Sequence, residues 1–188
     1  MLAKYNEFLI KNLSFKRYTH SVNVSKKAIY LAQKYNVDVK KAEIAGLLHD
    51  VTKQIDENEH LKIISDAKMS LSDLELENKK LWHAVSGAAF LKINFNIQDE
   101  DILNAVRFHT TGRAGMSLLE KVVFVADMIS DDRTFEEADK VRKIADESLD
   151  KAVCLSSVLS IDFLIKKLVK ISPSTLDAYN DTVGSFDF

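Results

Sequence analysis

Apolar residues return every three or four positions along most of the chain, the period of helices that bury one face. Leu2, Tyr5, Leu9 and Leu13 share such a face, and Ser14 stands where a cap should open a second helix over 15–35. Asp38 opens a third, whose apolar face carries Val39, Ala42, Ala45 and Leu48 and which ends at His49 and Asp50. A polar stretch over 52–58 leads to a short helix around 60–64, and "LSDLELENKK" predicts another short helical segment. A sixth helix is predicted over 81–94, and Asp99 caps a seventh that ends near His109. Ser117 with Glu120, and Thr134 with Glu137, have the spacing of capping boxes and mark two more helix starts. The last long helix is predicted over 148–170, followed by a tail that is irregular or briefly helical.

Composition sharpens this pattern. One proline and five glycines in 188 residues disfavour a turn-rich β architecture and suit long helices with short connections. The length suits one well-cored domain, and without a repeat, a low-complexity tract or a linker the expectation is a single all-α domain over 1–188, a helical bundle with any site in its interior. A net charge of −2 leaves no general basic footprint, so neither nucleic acid nor an anionic membrane is expected as a partner. With no bilayer-length apolar run and charges mixed into the first twenty residues, the expected setting is the cytoplasm. Cys154 is the lone cysteine, which excludes an intramolecular disulfide and a multi-thiolate zinc site; in "KAVCLSSVL" it is expected to be a buried small hydrophobe.

Several polar residues then stand in unexpected places. His20 lies early in the second helix, His49 and Asp50 end the third, His83 begins the sixth, His109 ends the seventh, and Asp127 interrupts "VVFVADMI". A buried carboxylate among such neighbours needs a cation or several donors. Two neutral imidazoles with two carboxylates make a mixed nitrogen and oxygen site that suits iron, manganese, cobalt or nickel. An ion so held lowers the pKa of water and polarises a phosphoryl oxygen, the outline of a phosphate-ester or anhydride hydrolase. Basic and hydroxyl residues near the candidates fit that outline: Arg17 precedes His20, Lys53 follows Asp50, and "HTTGR" offers Thr110 and a guanidinium, Arg113, suited to a phosphate fork.

"RYTHSVNV", "AEIAGLLHDVTK", "LWHAVSGAAF", "AVRFHTTGRAGMSLLEKVVFVADMIS" and "STLDAYN" follow one another from about residue 17 to 180. In that order they resemble the HD-domain metal-dependent phosphohydrolases, and among them the YqeK family of symmetrical diadenosine tetraphosphate hydrolases. The resemblance implies that His20, His49, Asp50 and Asp127 bind one iron ion, for which manganese, cobalt or nickel can stand in. It implies a pocket for adenosine diphosphate or a dinucleoside polyphosphate bounded by Arg17, His20, Lys53, His83, His109, Thr110, Arg113, Asp127, Arg133 and Thr175. Asp50, Lys53, His83 and His109 would carry the chemistry: a water activated by the metal attacks the central bridge, Lys53 stabilises the growing charge, and His83 or His109 donates a proton or holds the phosphates. His83 and His109 also have the character of ligands to a second ion. The chain departs from the family pattern after the aspartate-bearing helix, where Asp131 replaces the usual proline, and His60 matches no motif and is expected at the surface or in helix packing. Another nucleotide phosphohydrolase of the same type, or a nucleotide sensor without turnover, are the alternatives.

Overall fold

The computed structural model describes residues 2–186. Met1, Asp187 and Phe188, part of the expected domain span, lie outside the described residues. The described chain is helical with no strand: α1 (Leu2–Asn12), α2 (Phe15–Lys34), α3 (Val39–Leu48), α4 (Glu57–Asp66), α5 (Asp73–Glu77), α6 (Trp82–Asn94), α7 (Glu100–Phe108), α8 (Leu118–Ile129), α9 (Glu136–Ala145), α10 (Leu149–Lys166) and α11 (Pro173–Thr182). No helix among the described residues is long and apolar enough to cross a membrane.

Caps set most of these starts. The side chains of Ser14, Asp38, Asp56, Asp99 and Ser148 accept from main-chain N–H groups of the first turn, and Ser72 with Glu75 and Ser117 with Glu120 form complete capping boxes. Thr134 does not cap α9. The chain through residue 133 is folded into a turn whose carbonyls Arg142 holds, and the helix starts only at Glu136, with no side-chain cap.

Helix ends use few glycines. Asn36, Lys68, Asn96 and Leu168 take φ of 55°, 55°, 52° and 54°, and the next N–H in each case turns back to a carbonyl of the last helical turn, as from Val37 to Ala32 at 2.8 Å and from Val169 to Leu164 at 3.0 Å. Leu168 in this conformation stops α10 at Lys166, short of the predicted 170. The tail is more ordered than predicted, because α11 packs beneath the loop after α7. Gly112, at φ +63°, has room for Ala178 only because it lacks a Cβ, which would stand 2.9 Å from the Ala178 Cβ.

The core lies where α2, α3, α7 and α8 meet, filled by Val24, Leu48, Val106, Val122 and Val125. Gly46 brings α3 against α2; a Cβ there would come within 3.0 Å of the Ser25 Cα. Cys154 is buried on α10 as expected. At the head of α6 the buried Trp82 donates its indole N–H to the Glu75 carbonyl at 2.6 Å.

Candidate metal and phosphate site

Four imidazoles reach one interior point from four helices, and each is oriented through Nδ1. His49 at the end of α3, His83 in the first turn of α6 and His109 after α7 are 2.8, 2.8 and 2.7 Å from the carbonyls of Gly46, Lys80 and Val106, each three residues back. A carbonyl only accepts, so Nδ1 carries the proton and the Nε2 lone pair faces inward. His20, inside α2, directs Nδ1 to Asp132 at 2.8 Å. The inward nitrogens crowd together: His20 and His49 Nε2 are 3.3 Å apart, and His83 and His109 Nε2 are 3.2 Å apart. Lone pairs so close repel unless a proton or a cation lies between them, and the Lys53 ammonium, 2.8 Å from His83 Nε2, reaches only one of the two pairs.

The carboxylates sharpen that requirement. Asp50 Oδ2 accepts from Arg17 at 2.7 Å and lies 3.4 Å from His49 Nε2. Its Oδ1 is buried, 3.3 Å from His83 Nε2 and 3.6 Å from both His109 Nε2 and the Lys53 ammonium, and makes no hydrogen bond. Asp127, from α8, sets Oδ1 at 3.1 Å from His20 Nε2 and 2.7 Å from the Arg133 guanidinium. His20, His49 and Asp50; His49, His109 and Asp127; and Asp50, His83 and His109 each place one donor atom within 4.8 Å of the others. An orphaned carboxylate oxygen among converging nitrogens fits a divalent cation of borderline character.

Electrostatics agree. Burial alone would lift both carboxyls, yet His49 beside Asp50, and the His20 contact and Arg133 beside Asp127, hold them well below the usual carboxylate range. Burial pushes His83 far down, assisted by Lys53, and pushes His109 down. His49 alone is pushed up: burial opposes a proton there, but Asp50 and then Asp127 outweigh it. The two carboxylates thus draw positive charge into the cluster, the place a metal ion would take. Burial also lowers Lys53, whose ammonium lies 2.8 Å from His83 Nε2.

A cavity of about 1010 Å³ opens beside the cluster. Lys53, His83, His109, Thr110, Asp127, Arg133 and Thr175 line its inner part, and Phe135, Phe163 and Lys167 lie on its walls. The Thr110 hydroxyl is 3.1 Å from His109 Nε2 and 3.3 Å from His83 Nε2. Arg17 belongs to the cluster through Asp50, with no place on the cavity wall. Arg113 departs from the expected phosphate fork. Its guanidinium meets both oxygens of the buried Glu120 at 2.7 and 2.8 Å and lies over the Phe108 ring, so its paired N–H groups are already used. Despite the missing proline, Arg133 faces Asp127, while Asp131 pairs with Lys27 at 2.7 Å. His60 is a packing residue, buried in α4 with Nδ1 2.7 Å from the Ser86 hydroxyl.

Two residues of this region carried no signal in the sequence. Asp132 touches His20 across 112 positions of chain, and Arg142 gives its guanidinium to the carbonyls of Ile129, Ser130 and Arg133 at 3.0, 2.8 and 2.6 Å. Asp132 stands between Asp131 and Arg133 with nothing in its type to single it out, and Arg142 is one basic residue among several on a polar helix. The only hint was chemical: a histidine inside a helix needs a partner for its second nitrogen.

Comparison with known proteins brings the same segment forward. Residues 17–132 match the HD domain family. The symmetrical bis(5'-nucleosyl)-tetraphosphatase of Bacillus subtilis (strain 168) is 44% identical over 170 residues, 90% of this chain and 91% of that protein. The enzyme of the same name from Staphylococcus aureus (strain NCTC 8325 / PS 47) is 36% identical over 95% of this chain and 93% of its own. A crystal structure from Clostridium acetobutylicum, described as a "predicted HD superfamily hydrolase involved in NAD metabolism", superposes with a TM-score of 0.94 at 40% identity, covering 99% of this chain and 98% of the other.

Proposed function

The chain belongs to the HD domain family, and from that premise we infer that it is a symmetrical bis(5'-nucleosyl)-tetraphosphatase, which hydrolyses diadenosine tetraphosphate to two molecules of ADP. The observation that carries this is the 44% identity over nine-tenths of both chains with an enzyme of that name. The whole chain, 1–188, is taken as one such domain. A nucleotide substrate and a lone buried thiol are in keeping with a cytoplasmic setting.

His20, His49, Asp50 and Asp127 are the residues we assign to the metal, and iron is the ion we propose, with manganese, cobalt or nickel as substitutes. Such an ion, when bound, supplies Lewis acidity toward a phosphoryl oxygen and lowers the pKa of water. The other roles belong to the chain. One P–O bond of the central bridge breaks, the oxygen of water joins that phosphorus, and the bridging oxygen leaves on the second ADP. Lys53 is the half-buried cation on the cavity wall that would meet the equatorial oxygens, where its charge counts for more than in water. Burial pushes His83 and His109 toward the neutral form, with His83 Nε2 2.8 Å from the Lys53 ammonium and His109 Nε2 3.1 Å from the Thr110 hydroxyl. The negative charge of the tetraphosphate would draw the ammonium to phosphate and favour a proton on Nε2, after which both rings can donate to phosphate oxygens. Thr110 and Arg133 complete the polar wall, and Thr175 from α11 adds a buried hydroxyl to the lining.

Chromatography of the products tests the assignment. Diadenosine tetraphosphate should give ADP alone, and an ATP and AMP pair would place the activity elsewhere. Metal analysis of anaerobically purified protein addresses the ion: iron at one per chain is expected. Two per chain would give His83, His109 and Asp50 Oδ1 the part of a second ligand set.

A further inference from the structure

We propose that Asp132 is a positioning residue for His20: it fixes the ring so that Nε2, free of a proton, faces the ion. The proposal rests on the metal reading above. His49, His83 and His109 each find a carbonyl at or next to a helix end, where main-chain acceptors are spare. His20 sits six residues into α2, where the preceding carbonyls are committed to the helix, and it needs a partner from outside. Asp132 supplies one, with Oδ2 at 2.8 Å from Nδ1, while its Oδ1 accepts from Asn23, one turn further along α2, at 3.3 Å. A carboxylate only accepts, so Nδ1 donates to Asp132, whose negative charge makes Nε2 the stronger donor to an ion. Without an ion Nε2 faces the Asp127 carboxylate at 3.1 Å, so each ring nitrogen has a carboxylate beside it.

The turn that carries Asp132 is braced from two sides. Arg142 of α9 holds three of its carbonyls, and Lys27 of α2 pairs with Asp131. The same turn presents Arg133 to Asp127, so a single short segment orients a nitrogen ligand from α2 and an oxygen ligand from α8. Asp132 is 38% exposed in its side chain while His20 is buried, so truncation leaves a buried ring nitrogen without its partner. The variant that separates positioning from lost stability is therefore Asp132→Asn, which keeps an acceptor for Nδ1.

The experiment measures two quantities on wild type, Asp132→Asn and Asp132→Ala. Nitrogen-15 NMR of the Zn²⁺-loaded proteins, in which Nε2 is engaged by the ion, reports the His20 Nδ1–H and its hydrogen bond, with His49 as internal control, and titration of Mn²⁺ against a chelator reports affinity. In wild type the His20 Nδ1–H should be hydrogen-bonded and protected from exchange. Asp132→Ala should lose that protection at His20 only and weaken Mn²⁺ binding by about 10–100-fold. Asp132→Asn, whose amide oxygen still accepts from Nδ1–H, should keep the protection and lose less affinity. Affinity of Asp132→Ala within about twofold of wild type, or a His20 Nδ1–H signal that does not change, overturns the proposal and leaves the metal reading intact. A wild-type protein that takes up no divalent ion overturns the metal reading and the proposal with it.

Discussion

Asp50 holds the two halves of the cluster together: one oxygen is paired with Arg17 and the other is buried without a hydrogen bond between His83 and His109. Its removal leaves Arg17, Lys53 and four imidazoles without their central anion. Asp50→Ala should lose nearly all bound metal and lower kcat by roughly 10³-fold or more, the scale of a principal electrostatic element; metal content and activity near wild type would rule out the cluster as the site. His60→Ala should keep metal content and kcat within about twofold, yet lower stability by about 1–3 kcal/mol, since it leaves the buried Ser86 hydroxyl one partner short. Thermal melts and metal analysis together distinguish the two variants. At this scale the sequence displayed what lies beside a helix pattern, such as His49 and Asp50 at the end of an apolar face or Asp127 within one. It could not display Asp132 or Arg142, because ordinary charged residues gain their importance only when α9 and the turn at 130–133 fold against α2 and α8.

Among the elements, most helix starts were legible and several helix ends were not, for one reason. A start is written by its cap in a few adjacent residues, as at Ser117 and Glu120. An end at Lys68 or Leu168 is a left-handed residue of unremarkable type, chosen by the packing of the chain that follows. The same locality misled at Arg113, where "HTTGR" offers a fork but the box of α8 places Glu120 within its reach. Arg113→Lys should therefore act on α8 and the loop before it. An ammonium cannot make the two-pronged contact, so stability should fall by about 1–3 kcal/mol with the buried Glu120 under-satisfied, while KM for the dinucleotide changes by less than about threefold. A KM raised tenfold at unchanged melting temperature would return Arg113 to the phosphates.

For the molecule as a whole, burial of imidazoles ties stability to pH. His60, His83 and His109 are all held below the ordinary histidine value by burial, which outweighs their neighbours. As pH falls below about 6.5 the unfolded chain takes up protons that these three refuse in the fold, so stability declines. His49, pushed up, acts in the opposite sense: its contribution is present below the same value and is lost as pH rises through its folded value. Asp50 and Asp127 contribute above the ordinary carboxylate value and do not enter this range. Three groups against one should make metal-free protein unfold at lower urea at pH 5.5 than at pH 7.5, and His60→Gln should narrow the gap. A midpoint that is level or rises toward pH 5.5 would contradict the balance. The helical class and one bundle were legible from period and composition; how α11 closes against Gly112 was not, since it depends on a Cβ that is absent.

The indole at the head of α6 has a further use. Trp82 is the chain's lone tryptophan, it is buried, its N–H is held by the Glu75 carbonyl, and its neighbour in sequence is His83. Its ring also meets His60 edge-on at 6.5 Å. Tryptophan emission of the unlabelled protein, excited at the red edge where its five tyrosines do not absorb, therefore comes from one place, the corner where α5, α4 and α6 join beside the cavity, and it is an optical record of that corner as it fills, empties or melts.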